Sequence, residues 1–386
     1  MQQKSCKVLF FSPYFYPYIS GITQYPYRLL CKHTLLCNTS CLTFQYDENL
    51  ATEETINDRC IIYRMPFWLR ISKGFISPIS LFYFWREVIK TDIVIINLPS
   101  IEGVGLALIA KCKKKPIITF LHCEVALPFS LINSVINFVL NCGVFLQLLL
   151  ADKIIVETKD YYERKWPYTL FWYKMHEVFP LVNTAIPDVS FKKKLTKLRN
   201  EHTYLIGFCG RISTEKGIEV LIKSASTLKN IILIFAGPTG KNVIGEESYY
   251  TKIRNLLEEK KIPHVFLGTL SEEQLSAFYS GIDLLVLPSI NKTEAFGMVQ
   301  VEAMLQGTPV IVSRLPGVKI PLQLTKMGVI TTPNNAMEIT TAIKHILKNK
   351  ALYSNQYLIN QAKNIFNPQK TYDSIYSIIC QVIYRQ

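Results

Sequence analysis

The sequence predicts an α/β protein made of two Rossmann-like, doubly wound domains that face one another across a cleft. Three observations carry this expectation. The chain has 386 residues, too many for one ordinary core and enough for two domains of roughly 150–200 residues. Its composition, 49% hydrophobic and 19% charged, excludes a disordered chain and sits on the apolar side for a soluble enzyme. Short β-branched runs bounded by turn residues alternate with helix-length stretches along the whole chain, the pattern of parallel strands joined by helical crossovers.

In the first half, strands are predicted at Lys7–Phe11, Ser40–Phe44, Cys60–Arg64, Ile93–Asn97, Ile117–Leu121, Lys153–Glu157 and Glu177–Leu181. In the second half they fall at Tyr204–Cys209, Ile231–Ala236, His264–Leu267, Leu284–Leu287, Pro309–Val312 and Gly328–Thr331, with helices such as Gly217–Leu228 and Glu272–Ser280 between them. The segment IPDVSFKKKLTKLRNEH at 186–202 is polar, with little apolar periodicity, and reads as a hinge. The expected division is a first domain at 1–187, a linker at 188–202, a second domain at 203–366 and a tail at 367–386, whose helix Pro368–Tyr384 crosses back to the first domain.

Two apolar features stand out in the first half. The uncharged stretch Val125–Leu150 has the length of a membrane span, but Pro128 shortens it, and Asn133, Asn137 and Asn141 form one polar stripe. A helix buried against the sheet, one lying in a membrane surface and a true span all remain open, with burial the leading expectation. Phe67–Arg86 mixes Trp68, Phe75, Phe82, Tyr83, Phe84 and Trp85 with Arg70, Lys73 and Arg86, a composition that suits either a lipid headgroup boundary or a core helix with a wet edge.

The formal charge is +14, which suits anionic partners such as nucleic acid, acidic lipid or a phosphorylated substrate. Split at residue 185, the first part has 19 basic and 14 acidic residues, and the rest has 24 and 15. Neither half is a concentrated basic domain, and no nucleic-acid-binding motif accompanies the charge. Phosphate or membrane contact is the simpler explanation, with the run Lys111-Cys112-Lys113-Lys114-Lys115 as the candidate contact. The opening MQQKSCKVLFFSPYF does not read as a signal peptide. Ten scattered cysteines without C-x-x-C pairs point to reduced thiols and a cytoplasmic protein. The sequons at Asn38 and Asn291 then carry no weight.

The most informative segment is Asp283–Gly317, DLLVLPSINKTEAFGMVQVEAMLQGTPVIVSRLPG. It reads as strand, loop, helix, strand, loop, with the helix starting near Phe296, Gly297 and Met298. A helix N-terminus that follows a parallel strand presents backbone N–H groups and partial positive charge, where a diphosphate would sit. Glu294 would stand just ahead of the phosphates, toward a sugar. Glu302, further along the helix, would accept the hydroxyls of a ribose.

These residues resemble the E-x7-E element of the group 1, or family 4, retaining glycosyltransferases of the GT-B type. Gly210-Arg211 with Glu215-Lys216-Gly217 is similar to that family's G-R…K-G element. Leu233–Gly237 resembles its strand ending in glycine. Phe266-Leu267-Gly268 followed by Leu275, Tyr279 and Asp283 resembles its nucleobase-contacting strand and helix. Glu302-Ala303-Met304…Gly307-Thr308-Pro309-Val310 matches its E-A-M run. In the first half Ser20-Gly21-Ile22 is similar to its glycine loop, with Ser20 in place of one glycine, and His122 follows a strand as the family histidine does. Two further departures are Pro180-Leu181-Val182-Asn183, which has no glycine before the linker, and Lys319, which stands where an acidic residue is common.

The resemblance implies transfer of a sugar from a nucleoside-diphosphate sugar to an acceptor hydroxyl, with retention. It implies His122, Arg211, Lys216 and Glu294 as catalytic residues, and Gly21, Gly210, Gly268, Phe296, Gly297, Met298 and Glu302 as donor-binding residues. With no D-x-D in the chain, neither a metal nor a cofactor is expected, and Arg211 and Lys216 take the diphosphate charge. The expected acceptor is a glycan or a lipid-linked molecule, worked on at the inner face of a membrane. A nucleotide-sugar epimerase of similar fold, a phosphorylase and a non-catalytic sugar-nucleotide-binding subunit are the competing readings.

Overall fold

The structure is a computed structural model that describes residues 6–18, 20–32, 37–71, 74–124, 130–182, 185–199, 203–239, 247–291 and 293–384. The chain divides into two compact units, Met1–Leu181 with Pro368–Gln386, and Val182–Asn367.

The first unit holds β1 (Cys6–Phe11), α1 (Gly21–Tyr27), β2 (Cys37–Phe44), β3 (Glu53–Asn57), β4 (Cys60–Met65), β5 (Leu69–Ile71), β6 (Gly74–Ile76), α2 (Ser80–Val88) and β7 (Ile93–Leu98). It continues through α3 (Gly103–Cys112), β8 (Ile117–Leu121), α4 (Leu131–Leu150), β9 (Lys153–Val156) and β10 (Met175–Glu177). Eight strands form one sheet in the order β10-β9-β8-β7-β1-β2-β4-β3, with only β3 antiparallel to its neighbour. β7 and β8 are buried at every position, because helices cover both faces of a parallel sheet, so these strands read as unbroken apolar runs.

The second unit holds α5 (Val189–Thr196), β11 (Tyr204–Cys209), α6 (Ile218–Ala225), β12 (Ile231–Ala236), α7 (Glu247–Glu259), β13 (His264–Gly268), α8 (Glu272–Gly281) and β14 (Leu284–Leu287). After these come α9 (Met298–Leu305), β15 (Val310–Ser313), α10 (Lys319–Thr325), β16 (Gly328–Thr331), α11 (Ala336–Lys348), α12 (Lys350–Tyr353) and α13 (Gln356–Ile365). Its six parallel strands run in the order β13-β12-β11-β14-β15-β16. The last helix, α14 (Pro368–Tyr384), is part of the first unit. There Thr371 Oγ1 donates to the Phe179 carbonyl at 3.0 Å, and Ile375, Ile378 and Ile379 are buried.

Four expectations need correction. The expected linker contains α5, which belongs to the second unit. Asp188 caps it by accepting from the Ser190 and Phe191 N–H groups, Asp188 N donates to Glu273 O, and Leu195 is buried. With Leu195 as its only buried residue, the helix has no apolar period to read. The expected strand Glu177–Leu181 ends where it was expected to begin, since β10 spans Met175–Glu177. Phe67–Arg86 is not one helix: it contains the hairpin β5–β6 followed by α2. Finally, α4 is mostly not buried. Gly143, Val144, Gln147 and Leu148 pack inward, while Val135 and Phe138 are 63% and 69% exposed. Residues 125–129 of that stretch lie outside the described residues.

Candidate active site

Among the parallel strands of each large sheet the chain reverses its direction of strand addition at one place, and crevices form there outside the carboxyl ends of the strands. In the second unit this place lies between β11 and β14. The segments that leave these two strands carry most of the expected donor-site residues.

The chain leaves β11 at Gly210, passes Arg211 and turns through Thr214–Lys216 to Gly217, which precedes α6. Gly217 has φ +67°, and a Cβ there would lie 2.2 Å from the Pro288 carbonyl oxygen. Only glycine meets both conditions, so the loop after β14 packs directly on this turn. Ile290 N donates to Glu215 O at 3.1 Å and fixes the same contact. The result is an ion pair between Lys216 Nζ and Glu294 Oε2 at 2.5 Å, with both side chains less than 20% exposed. Ser289 Oγ donates to the same carboxylate oxygen at 3.3 Å. Arg211 pairs with Glu215 at 2.9 Å and remains 43% exposed. Burial opposes ionisation of Glu215, but hydrogen bonding by its own backbone, with the charges of Arg211 and Lys216, holds its pKa below the usual glutamate value.

Gly210 also meets the end of the next strand. A Cβ on Gly237 would lie 2.1 Å from Gly210 O, and Gly237 N donates to Gly268 O at 2.8 Å. Gly210, Gly237 and Gly268 thus close the ends of β11, β12 and β13 together. Gly268 has φ +69°, and nothing lies within 4 Å of a Cβ built there.

The loop after β14 enters α9 through Gly297, whose φ is +75°. The first turn of a helix leaves N–H groups without intrahelical partners, so the entry to α9 at Gly297 and Met298, which follows Glu294 in the chain, is a donor-rich corner. Gln300 fixes this corner. It is fully buried, and its Nε2 donates to Phe296 O at 2.6 Å and to Val318 O at 2.8 Å, tying the α9 entry to the loop after β15. Glu302 is 5% exposed and accepts from the Tyr279 hydroxyl at 2.8 Å. That hydroxyl also lies 3.3 Å from Cys209 Sγ. Burial holds the Tyr279 phenol well above its ordinary pKa, and burial likewise raises the Cys209 thiol to about 12. Tyr279 is therefore a neutral donor that fixes Glu302 beside the end of β11.

Gly21 and His122 belong to the first unit. Its reversal lies between β1 and β7, and Asn97 of β7 ties this region together. Asn97 Nδ2 donates to Ser12 Oγ at 3.1 Å and to Ile22 O at 3.2 Å, and its Oδ1 lies 2.6 Å from His122 Nε2. His122 Nδ1 lies 2.9 Å from Glu157 Oε1, so both ring nitrogens face acceptors. Gly21 is the first residue of α1, after an extended Ser20 whose N–H and side chain exchange hydrogen bonds with Thr23. It opens a short helix, and it is the one glycine of the Ser20-Gly21-Ile22 segment. Asn97, Glu157 and Gln300 were missed by the sequence reading. The available signal was a polar residue at the end of an otherwise apolar run, IVIIN for Asn97 and KIIVE for Glu157.

Residues 190–365 match the family model of the group 1 glycosyl transferases. An uncharacterized glycosyltransferase of Methanocaldococcus jannaschii is 28% identical over 196 residues, covering 49% of this chain and 47% of that protein. The D-inositol 3-phosphate glycosyltransferase of Corynebacterium glutamicum is 35% identical over 136 residues, covering 33% of this chain and 31% of the relative. The chain thus spans less than half the length of these two curated relatives. Anabaena HepE in complex with UDP and glucose superposes with a TM-score of 0.75 at 18% identity, covering 97% of this chain and 99% of the other. The match to the group 1 glycosyl transferase model lies within the second unit, and the whole chain has the two-domain Rossmann-like fold of the GT-B glycosyltransferases.

Proposed function

We propose that this protein is a retaining glycosyltransferase that moves a sugar from a nucleoside-diphosphate sugar to an acceptor hydroxyl. The observation that carries the proposal is the meeting of Lys216, Glu294 and the entry to α9 at the β11/β14 reversal. The complexes of HepE with UDP, glucose and UDP-glucose support a donor of that kind.

Each residue then has a task. The backbone at Phe296, Gly297 and Met298 receives the diphosphate, and Arg211 and Lys216 offset the charge that grows on it as the sugar departs, where electrostatic stabilisation acts most strongly. Glu294 orients sugar hydroxyls, Glu302 holds the ribose, and Gly268 leaves room for the base. No divalent ion takes part, because the two basic side chains serve the diphosphate. The leaving phosphate takes the acceptor proton on the face from which it departs, which gives retention.

Transfer assayed with Lys216→Ala and Glu294→Ala tests the proposal. Turnover should fall by about two orders of magnitude or more, with the anomeric configuration of the wild-type product retained and the rate unchanged by EDTA. An inverted product would contradict the mechanism, and unaltered turnover in both variants would contradict the site.

The acceptor we propose is a lipid-linked or cell-envelope molecule, met at the cytoplasmic face of a membrane. Support comes from the +14 charge and from Trp68, Phe82, Trp85 and Trp166, all at least 47% exposed in the first unit.

A further inference from the structure

We infer that the outer face of the layer formed by α2, α3 and α4 is the surface that lies on an anionic bilayer. This inference rests on the membrane reading above and gives it a location. The three helices link β6 to β7, β7 to β8 and β8 to β9. Right-handed crossovers in one direction place all three on the same side of the sheet, with α3 packed against both α2 and α4.

Small residues draw the layer together. A Cβ on Gly105 would lie 2.5 Å from Leu81 Cδ2, and one on Gly143 would lie 2.2 Å from Ile101 Cδ1. The outer surface is apolar on all three helices. α2 exposes Phe82 and Trp85, α3 exposes Leu108, and α4 exposes Val135, Phe138 and Leu149. On α4 these positions, at i, i+3 and i+14, fall within one side of the helix, and its twenty residues include no charged side chain. Monomers in water rarely show so continuous an apolar surface without a partner.

Charge selects the partner. The C-terminal ends of α2 and α3 carry Arg86, Lys90 and Lys111, the last paired with Asp152 at 2.8 Å, followed by Lys113, Lys114 and Lys115. The one carboxylate of α2, Glu87, is buried and paired with Arg86 and Lys90. Lys113 Nζ stands 5.3 Å over the Trp85 ring, at the seam between the basic edge and the apolar face. An apolar helical surface bordered by lysine and arginine matches the boundary between acyl chains and anionic headgroups. The protein lies on the bilayer and does not cross it. Both ends of α4 join adjacent parallel strands, and its buried Gln147 donates to Ser100 O at 2.6 Å, which ties the helix to the folded unit.

Co-sedimentation of the full chain with vesicles of phosphatidylcholine, with and without phosphatidylglycerol, tests this. The wild type should bind only the anionic vesicles. Val135→Ser with Phe138→Ser, or Phe82→Ser with Trp85→Ser, should weaken binding more than about tenfold. Replacing Lys113, Lys114 and Lys115 by alanine should cost about fivefold for each lysine. Thermal stabilisation by donor, which reports the second unit, should be retained in every variant. If the wild type binds and the serine variants bind equally well, this face is the wrong one while the membrane reading survives. If the wild type ignores anionic vesicles at low salt, both fall. Self-association of the wild type without vesicle binding, abolished by the same substitutions, would assign the face to a second copy and overturn the inference.

Discussion

Lys216 and Glu294 are 78 positions apart, and their contact depends on a glycine beside one of them. Gly217→Ala would force a Cβ into a left-handed backbone position and against the Pro288 carbonyl. It should cost about 2–4 kcal/mol in denaturant unfolding. Gly268→Ala has nearly the same φ with open space around the Cβ and should cost about 1 kcal/mol. Equal losses would show that the loop packing around Gly217 is not a constraint. Glu215 adds a pH dependence. Because its folded pKa is depressed, its contribution is fully present above the unfolded glutamate pKa and is lost as pH falls through the lower folded value. Glu215→Gln should therefore lower the melting temperature at neutral pH and lower it less in acid. A deficit that grows on acidification would contradict this. Glu294, Lys216 and Arg211 were legible in the sequence because a motif of charged residues and glycines marks them. Gln300 and Asn97 act through buried hydrogen bonds to distant carbonyls and a ring nitrogen, and no local spacing announces such partners.

Among the elements, strands buried on both faces were the easiest to read, since Ile93–Leu98 and Leu284–Leu287 contain almost nothing but apolar residues. Short edge elements were not legible: β5 and β6 have three residues each, too few for a period to develop. The apolar content of α4 signals a helix but not its surroundings, because burial against a sheet and exposure toward lipid draw on the same residues. Its seam with α3 is nevertheless specific. A Cβ on Gly103 would meet Gln147 Oε1 at 2.3 Å and Ile96 Cγ2 at 2.8 Å, so Gly103→Val should destabilise the first unit by about 1–3 kcal/mol. Wild-type stability in that variant would mean that the helices separate freely. In the second unit, Gln300→Leu removes two donors from buried carbonyls and should cost about 2–3 kcal/mol. It should also loosen the entry to α9, which a raised KM for donor would report.

At the scale of the whole molecule, two sheets of similar construction were legible from the alternation of strands and helices, whereas the place where the chain passes between units was not. Polar composition pointed to 188–202, yet Val189–Thr196 within it is a helix and part of the second unit, and the units part between Leu181 and Val182. α14 completes the first core after the second unit has been built. Deleting residues 368–386 should therefore melt the first unit earlier and leave the transition of the second in place, as a calorimetric scan would show. Thermal unfolding in a panel of nucleotide sugars tests most directly whether the second unit binds a nucleoside-diphosphate sugar at the β11/β14 reversal. One donor present at about 100 times its Kd should add about 2.7 kcal/mol and raise the midpoint of the wild type, with the shift reduced in Lys216→Ala and Glu302→Ala. No shift with any nucleotide sugar, or an equal shift in both variants, would contradict the account.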